Sequence, residues 1–151
     1  MGLDMYLTRK VYVGANYEHN KVKGSIELTK GDKNTPIKVN FNKVKYIEEE
    51  GAYWRKANQI HKWFVDNCQD GEDDCRESYV SRGQLKELVD ICKKVLDDHS
   101  LAEELLPTEE GFFFGSTDYD EYYYKDLEET VEMLEPLLED EVGEYSYCSS
   151  W

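Results

Sequence analysis

Alternating apolar and polar positions fill much of the first third of the chain, a pattern typical of strands that bury one face. The segments with this pattern predict three β-strands, at about residues 3–13, 21–30 and 37–47. Turn-forming residues occupy positions 31–34, and Pro36 follows them. Because such residues join neighbouring strands tightly, the second and third strands are predicted to form a hairpin. The sequence therefore predicts a three-stranded sheet that is at least partly antiparallel.

From residue 52 onward, apolar residues recur every three or four positions, which is the period of an amphipathic helix. Three main helices are predicted, at about residues 52–67, 81–97 and 118–139. Ser81 and Gln84 have the spacing of a capping box at the start of the second helix. Pro136 should kink or end the third helix, because proline lacks the amide hydrogen that a helix interior requires.

Shorter elements are predicted around these helices. Residues 78–80 should form a short strand, and residues 102–106 a further helical turn. The apolar run at 111–115 is bracketed by glycines and is predicted to be a buried extended segment. Residues 143–151 form a tail that is either disordered or adds a strand at a sheet edge. The fold class expected is α+β, with residues 1–142 as a single domain.

The net charge of −15 is unevenly distributed along the chain. Residues 1–56 carry 11 basic and 7 acidic side chains, a net charge of +4, whereas residues 57–151 carry 7 basic and 26 acidic side chains, a net charge of −19. A field of this sign repels phosphate groups and attracts cationic surfaces. Direct binding to nucleic acid is therefore not expected, and a basic protein is a candidate partner.

No targeting or cofactor signature stands out in the sequence. No apolar run approaches the length of a membrane span, and residues 1–4 lack the features of an export signal. We therefore expect a cytoplasmic protein that does not bind membranes. Because no dinucleotide, phosphate-loop or hydrolase motif occurs, no cofactor is expected, and an enzyme is less favoured than a binding protein.

The cysteines and the acidic loop are the two candidates for metal binding. The four cysteines lack the spacing of a zinc site and are expected to be free thiols, with Cys92 in the core. Residues 66–77 partly fit the frame of a calcium loop, but Cys68 occupies a position that needs an oxygen ligand. We interpret this segment as a solvated acidic loop and expect no metal site.

The densest group of polar and aromatic side chains lies in residues 52–64. At helical spacing, Trp54, Asn58 and His61 fall on one side of the predicted helix, next to its apolar stripe. One interpretation is that these residues are buried and that their polar groups bond to the backbone. The other is a pocket wall, in which Arg55 and Lys56 add further hydrogen-bond donors.

The loop at 115–120 leads into the third predicted helix, and Ser116, Thr117 and Asp118 are candidate N-caps there. Free amides in a first helical turn can also hold an anion, although the acidic residues in this loop oppose one. In the pocket interpretation, Ser116 and Thr117 contact the ligand and Tyr119 or Trp54 stacks on it.

Three sequence blocks carry a resemblance to known proteins. They are MGLDMYL at residues 1–7, AYWRKANQIHKWF at 52–64 and GFFFGSTDYDE at 111–121. Together they resemble a family of short, uncharacterised proteins of phages and prophages. The resemblance implies a phage accessory protein that acts in the bacterial cytoplasm, and it supplies no catalytic residue.

These observations lead to one favoured function and two alternatives. The favoured function is a non-enzymatic binding protein that blocks or sequesters a host component, as an anti-defence protein that binds a small anionic ligand such as a nucleotide signal. The first alternative is an acidic mimic of DNA that inhibits a host nucleic-acid-binding protein. The second is a small hydrolase or transferase that uses His61 as a general base, with Asp118 or Asp120 as its acidic partner.

Overall fold

A computed structural model describes residues 2–14, 17–20 and 22–151 and shows an α+β fold. The six strands are β1 (Asp4–Tyr12), β2 (Leu28–Lys30), β3 (Thr35–Ile37), β4 (Tyr46–Arg55), β5 (Ser78–Val80) and β6 (Glu144–Ser150). The four α-helices are α1 (Asn58–Cys68), α2 (Arg82–Asp97), α3 (Ala102–Leu105) and α4 (Glu121–Glu139). The chain divides into two compact units, residues 1–9 with 49–151 and residues 10–48. Within the described residues, no helix combines the length and apolar character required to cross a membrane.

The main sheet has four strands in the order β4-β1-β6-β5. Strands β5 and β6 are antiparallel, with Ser78 opposite Tyr147 and Val80 opposite Tyr145. Tyr145 and Tyr147 are buried on one face of β6, because alternate side chains of a strand point to the same side. The tail from residue 143 therefore forms a strand with a neighbour on each side, and does not lie at a sheet edge.

The prediction of one three-stranded sheet is wrong in detail. The first predicted strand corresponds to β1, whereas the second and third shrink to β2 and β3, which form a separate two-stranded sheet. The predicted helix at 52–67 begins later, at Asn58, because residues up to Arg55 belong to β4. Ala52 and Trp54 are buried while Tyr53 and Arg55 are exposed, which is the two-residue period of a strand.

Helices α2 and α4 pack against each other in the core of residues 49–151. The capping box of α2 is confirmed. The backbone amide of Gln84 donates to Ser81 Oγ at 3.1 Å, and the backbone amide of Ser81 donates to Gln84 Oε1 at 2.9 Å. Cys92 is buried in this core as expected, and all four cysteines are free. The short strand at 78–80 and the helical turn after residue 102 are also present.

Helix α4 differs from its prediction at both ends. Its N-cap is Asp120, which accepts hydrogen bonds from the amides of Tyr122 and Tyr123 at 3.1 and 3.2 Å, so Ser116, Thr117 and Asp118 do not cap it. Pro136 lies inside the helix, which continues to Glu139. Arg82 donates to the carbonyl of Leu138 and, at 2.6 Å, to the carbonyl of Asp140, so these two carbonyls at the end of the helix have a partner.

Residues 10–48 contain the predicted hairpin. Strands β2 and β3 pair antiparallel, with Leu28 opposite Ile37, and residues 31–34 form the turn between them. The side chains of both strands are exposed, whereas Val13 is buried and its amide donates to the Lys45 carbonyl at 2.8 Å. Among the residues of this unit that the structure describes, the predicted local pairing is present and few side chains are buried.

Candidate functional site

The corner between β4 and α1 is built around a close approach of two backbones. Lys56 has a φ of 59°, a left-handed conformation that turns the strand into the helix. Gly115 has a φ of +86°, and a Cβ atom there would lie 3.2 Å from Lys56 Cβ. Both its dihedral angle and the available space favour glycine at this position. The loop that precedes α4 is thereby packed against the start of α1.

Asn58 fixes this loop by hydrogen bonds. Its Nδ2 group donates to the carbonyls of Phe114 and Ser116 at 3.0 and 2.9 Å, and its Oδ1 atom accepts from the Glu109 amide at 2.9 Å. The side chain is 1% exposed. Both amide hydrogens are therefore used inside the protein, and Asn58 holds the backbone on which other side chains are displayed.

His61 lies one turn further along α1 and is also buried. Its Nδ1 atom is 2.7 Å from the Tyr147 hydroxyl, and its Nε2 atom is 2.9 Å from Asp73 Oδ2. Burial raises the pKa of Tyr147 well above its ordinary value, and the charge of Asp73 adds to this effect. The carboxylate of Asp73 can only accept, so Nε2 carries the proton donated to it, and Nδ1 of a neutral imidazole then accepts from the Tyr147 hydroxyl.

This arrangement differs from the one expected for a hydrolase. The carboxylate partner of His61 is Asp73, not Asp118 or Asp120, and Asp120 caps α4 instead. A general base needs a ring nitrogen that faces the substrate. In His61 both nitrogens are engaged with protein groups, so the histidine joins α1, β6 and the acidic loop.

A cavity of about 400 Å³ opens beside His61, and we call it the aromatic–acidic cleft. Its aromatic lining consists of Phe112, Phe113, Phe114 and Trp151. Its carboxylate lining consists of Asp66, Asp73, Glu109 and Glu110. Lys62 also lines it, and its Nζ atom lies 3.0 Å from Glu109 and 3.4 Å from Asp66. The hydrogen bond to Glu109 is the main reason that the pKa of Lys62 is raised.

A second cavity, of about 300 Å³, lies at the corner described above, and we call it the Arg55 pocket. It collects three of the predicted ligand-binding residues, Arg55, Lys56 and Ser116. Three carboxylates line it as well: Asp118, Asp120 and Asp126. Burial raises the pKa of Asp126 to about 6, although a hydrogen bond from Gln59 at 3.1 Å acts in the opposite direction.

Of the other predicted residues, His61 lines the aromatic–acidic cleft, and the remaining four line neither cavity: Trp54, Asn58, Thr117 and Tyr119. Trp54 is buried in the core, where its Nε1 group donates to Thr130 Oγ1 at 2.8 Å. The Thr117 carbonyl accepts from the Thr108 hydroxyl at 3.0 Å, and the Tyr119 hydroxyl accepts from the Thr108 amide at 3.2 Å. The predicted set is therefore divided between the Arg55 pocket, the aromatic–acidic cleft and the core.

The acidic loop does not assemble a cation site. Asp70, Glu72 and Asp74 all lie within 4 Å of the Arg76 guanidinium, at 3.7, 3.4 and 3.7 Å. Among the residues that the structure describes, no three histidine, cysteine or acidic side chains group as metal ligands. The loop carboxylates thus surround an arginine of the same loop.

Sequence reasoning missed the residues that give the aromatic–acidic cleft its character. The 111–115 segment is a turn and not a buried strand, and Phe112 is 94% exposed while Phe114 is buried. Asp73 and Trp151 come to His61 from distant positions, and the Trp151 indole donates to Asp73 at 3.1 Å. The only available signal was the run of three phenylalanines between glycines, which is unusually apolar for a turn.

Comparison of the chain with protein-family models, with curated proteins and with solved structures finds no significant match.

Proposed function

We propose that the protein is a non-enzymatic binding protein that blocks or sequesters a basic host protein through its acidic surface. The observation that carries this proposal is the separation of charge between the two structural units. Residues 10–48 contain eight lysines and four acidic residues, a net charge of +4, so the other unit carries −19 of the total of −15. A single-signed field of this size attracts a cationic partner and speeds its association.

Helix α4 presents the most regular part of this field. Five exposed glutamates recur every three to seven residues along one face: Glu121, Glu128, Glu132, Glu135 and Glu139. At 1.5 Å per residue the row is about 27 Å long, with close neighbours about 4.5–6 Å apart along the axis. Phosphates of one DNA strand rise by about 3.4 Å each, so the row carries negative charge at about half the density of one DNA strand. This row, the α4 glutamate row, is what a basic nucleic-acid groove would bind.

The surroundings of His61 favour binding over catalysis. Its two ring nitrogens contact Tyr147 and Asp73, so both are engaged with protein groups. Cys92, the most buried thiol, has its pKa raised to about 12 by burial, so it is not an activated nucleophile. These features support a structural role for both side chains.

The biological setting of the proposal comes from the resemblance to phage and prophage proteins. In that setting the partner is a host nuclease or regulator with a basic groove, and the encounter takes place in the bacterial cytoplasm. Blocking such a groove would act against host defence. The acidic surface supports the chemistry of this proposal, and the host context rests on the resemblance alone.

A pull-down from bacterial lysate tests the proposal. Immobilised protein should retain a basic protein at low salt and release it as salt rises, and duplex DNA should compete. A variant with Glu128→Gln, Glu132→Gln and Glu139→Gln should retain at least tenfold less partner. The matched control, with Glu87→Gln, Glu103→Gln and Glu104→Gln, removes equal charge elsewhere and should keep most binding. Failure to recover any basic protein at low salt would refute the proposal.

A small anionic ligand is the second candidate, because Arg55, Lys56 and Ser116 line one pocket. The three aspartates of that pocket outnumber its two cations, which weakens attraction for a phosphate. Asp126, with its raised pKa, carries less negative charge in mildly acidic solution than the other two. This candidate therefore ranks below the acidic surface, and its own test is a substitution of Arg55.

A further inference from the structure

The aromatic–acidic cleft combines two kinds of wall that suit an organic cation. Phe112 is 94% exposed and stands edge-to-face against Phe113, with ring centroids 4.8 Å apart. Phe114 and Trp151 meet at 6.0 Å and 74° in the same cleft. Such rings attract a cation through their negative faces, and an exposed phenylalanine loses water contact when a ligand covers it.

The carboxylates of the cleft outnumber its cations. Lys62 is the one lysine among the described residues that line it, and that side chain is shared between Asp66 and Glu109. Glu110 makes no hydrogen bond or ion pair to any residue that the structure describes, although it lines the cleft. Asp73 is held in place from both sides, by His61 at 2.9 Å and by Trp151 at 3.1 Å. The cleft thus has one carboxylate, that of Glu110, with no partner among the described residues. A second carboxylate, that of Asp73, is held in a fixed orientation by its two hydrogen bonds.

These walls discriminate between classes of ligand. An anion would face four carboxylates, and an uncharged apolar ligand would cover Glu110 without replacing its water contacts. A guanidinium is planar, stacks on aromatic faces and donates paired hydrogen bonds to a carboxylate, and it is less strongly hydrated than an ammonium. The volume of about 400 Å³ falls within the usual range for a ligand pocket.

We propose that the aromatic–acidic cleft is an anchor pocket for the guanidinium group of an arginine side chain on the basic partner protein. This inference rests on the proposed function for the identity of the partner, but not for the chemistry of the cleft. Arginine anchors in aromatic pockets commonly carry a large share of binding energy at protein interfaces. The remaining acidic surface would then attract the partner, and the cleft would fix its position.

Titration with amino-acid amides tests the chemistry of the cleft directly. N-acetylarginine amide should shift the Trp151 indole N–H resonance at millimolar concentration. N-acetylcitrulline amide has nearly the same shape without the charge, and it should bind at least tenfold more weakly. N-acetyllysine amide should fall between the two. Equal shifts from the arginine and citrulline compounds, or no shift from either, would overturn the inference.

Two variants link the shifts to the cleft. Glu110→Gln and Phe112→Ala should each weaken arginine amide binding at least threefold, and both side chains are exposed, so the fold is retained. Glu128→Gln and Tyr122→Ala change an exposed glutamate and an exposed aromatic outside the cleft and should leave binding unchanged. Equal losses in the cleft variants and their controls would contradict a specific pocket.

The same variants separate this inference from the proposed function. If lysate yields a basic partner whose retention Phe112→Ala does not reduce, and arginine amide does not bind, the cleft inference fails and the acidic-surface proposal stands. If arginine amide binds through Glu110 and Phe112 but no basic protein is recovered, the proposed function fails and the guanidinium pocket stands.

Discussion

The Nε2 atom of His61 lies 2.9 Å from Oδ2 of Asp73, and the second carboxylate oxygen of Asp73 accepts from the Trp151 indole at 3.1 Å. One carboxylate therefore connects helix α1 to a residue just beyond β6. The histidine is 1% exposed, so its N–H group depends on this partner and not on water. A contact of this kind fixes the position of the acidic loop beside the cleft.

Asp73→Ala should destabilise the protein by about 2 kcal/mol, because it leaves the buried N–H of His61 without an acceptor. Urea denaturation at pH 7 measures the change. Glu72→Ala is the matched control in the same loop, since the Glu72 side chain is 74% exposed and its ion pair with Arg76, at 3.4 Å, lies at the surface. The control should change stability by less than about 0.5 kcal/mol. Equal midpoints for the two variants would show that the His61–Asp73 contact is not important for stability.

Asn58→Ala should cost about 3 kcal/mol, because three hydrogen bonds to the 109–116 loop are lost at a buried position. Asn58→Asp should be worse at neutral pH than at pH 4, since an ionised carboxylate would face two carbonyl oxygens. Thermal unfolding at both pH values tests this. Asn67→Ala, at an exposed position of α1, serves as the control and should cost less than about 1 kcal/mol. A similar loss from both alanine variants would argue against the loop-fixing role of Asn58.

Asp126 makes stability depend on pH in a defined direction. Burial raises its pKa to about 6, above the ordinary value of 3.8, so the folded state favours the protonated form. The stability that protonated Asp126 contributes is fully present below pH 3.8 and is lost as pH rises through 6. The carboxyl is partly exposed, so solvent screening limits the effect to about 1–2 kcal/mol.

Asp126→Asn should therefore equal the parent in stability near pH 4 and exceed it by about 1–2 kcal/mol at pH 8. The amide oxygen can still accept from Gln59, which keeps the local contact. Urea midpoints between pH 4 and pH 8 give the difference curve, and Asp90→Asn controls for the general loss of charge. Parallel curves for parent and Asp126→Asn would contradict the raised pKa.

Arg55→Ala tests the second candidate function. The Arg55 side chain is 56% exposed and its ion pair with Asp4 is 3.7 Å long, so the substitution should change stability by less than about 0.5 kcal/mol. If the pocket holds a small anion, affinity should fall about ten- to a hundredfold. Melting temperature with a panel of nucleotides, together with protection of phage against host defence systems, provides the readout. Lys94→Ala, at an exposed position of α2, is the control, and unchanged binding in Arg55→Ala would remove the support for an anion site.

Local signals predicted those elements whose determinants are close in sequence. The turn at 31–34 and the capping box of Ser81 and Gln84 were both readable because each depends on a few adjacent residues. The boundary between β4 and α1 could not be read from local signals, because the positions of Ala52 and Trp54 fit both the two-residue period of a strand and the period of a helix. In the structure, the left-handed conformation of Lys56, with a φ of 59°, ends strand β4.

The candidate site was harder to predict because its groups meet only after distant elements pair. Nothing near residue 61 indicates that Asp73 and Tyr147 will contact the two nitrogens of His61. The three residues at 112–114 are all phenylalanine, but their environments in the structure differ. One hydrogen bond from Asn58 holds the backbone carbonyl of Phe114, the residue whose ring is buried, and that contact is not encoded in a local motif.

The place of β6 between β1 and β5 sets an order for events during synthesis of the chain. Strand β1 is synthesised early and β5 midway through the chain. They cannot be joined through β6 until residues 144–150 have left the ribosome. Until then β5 lacks its antiparallel partner, and the apolar faces that β6 will cover stay accessible. Because such pairing over long sequence separation is slow, the nascent chain would pass through an interval in which chaperones and proteases compete with folding.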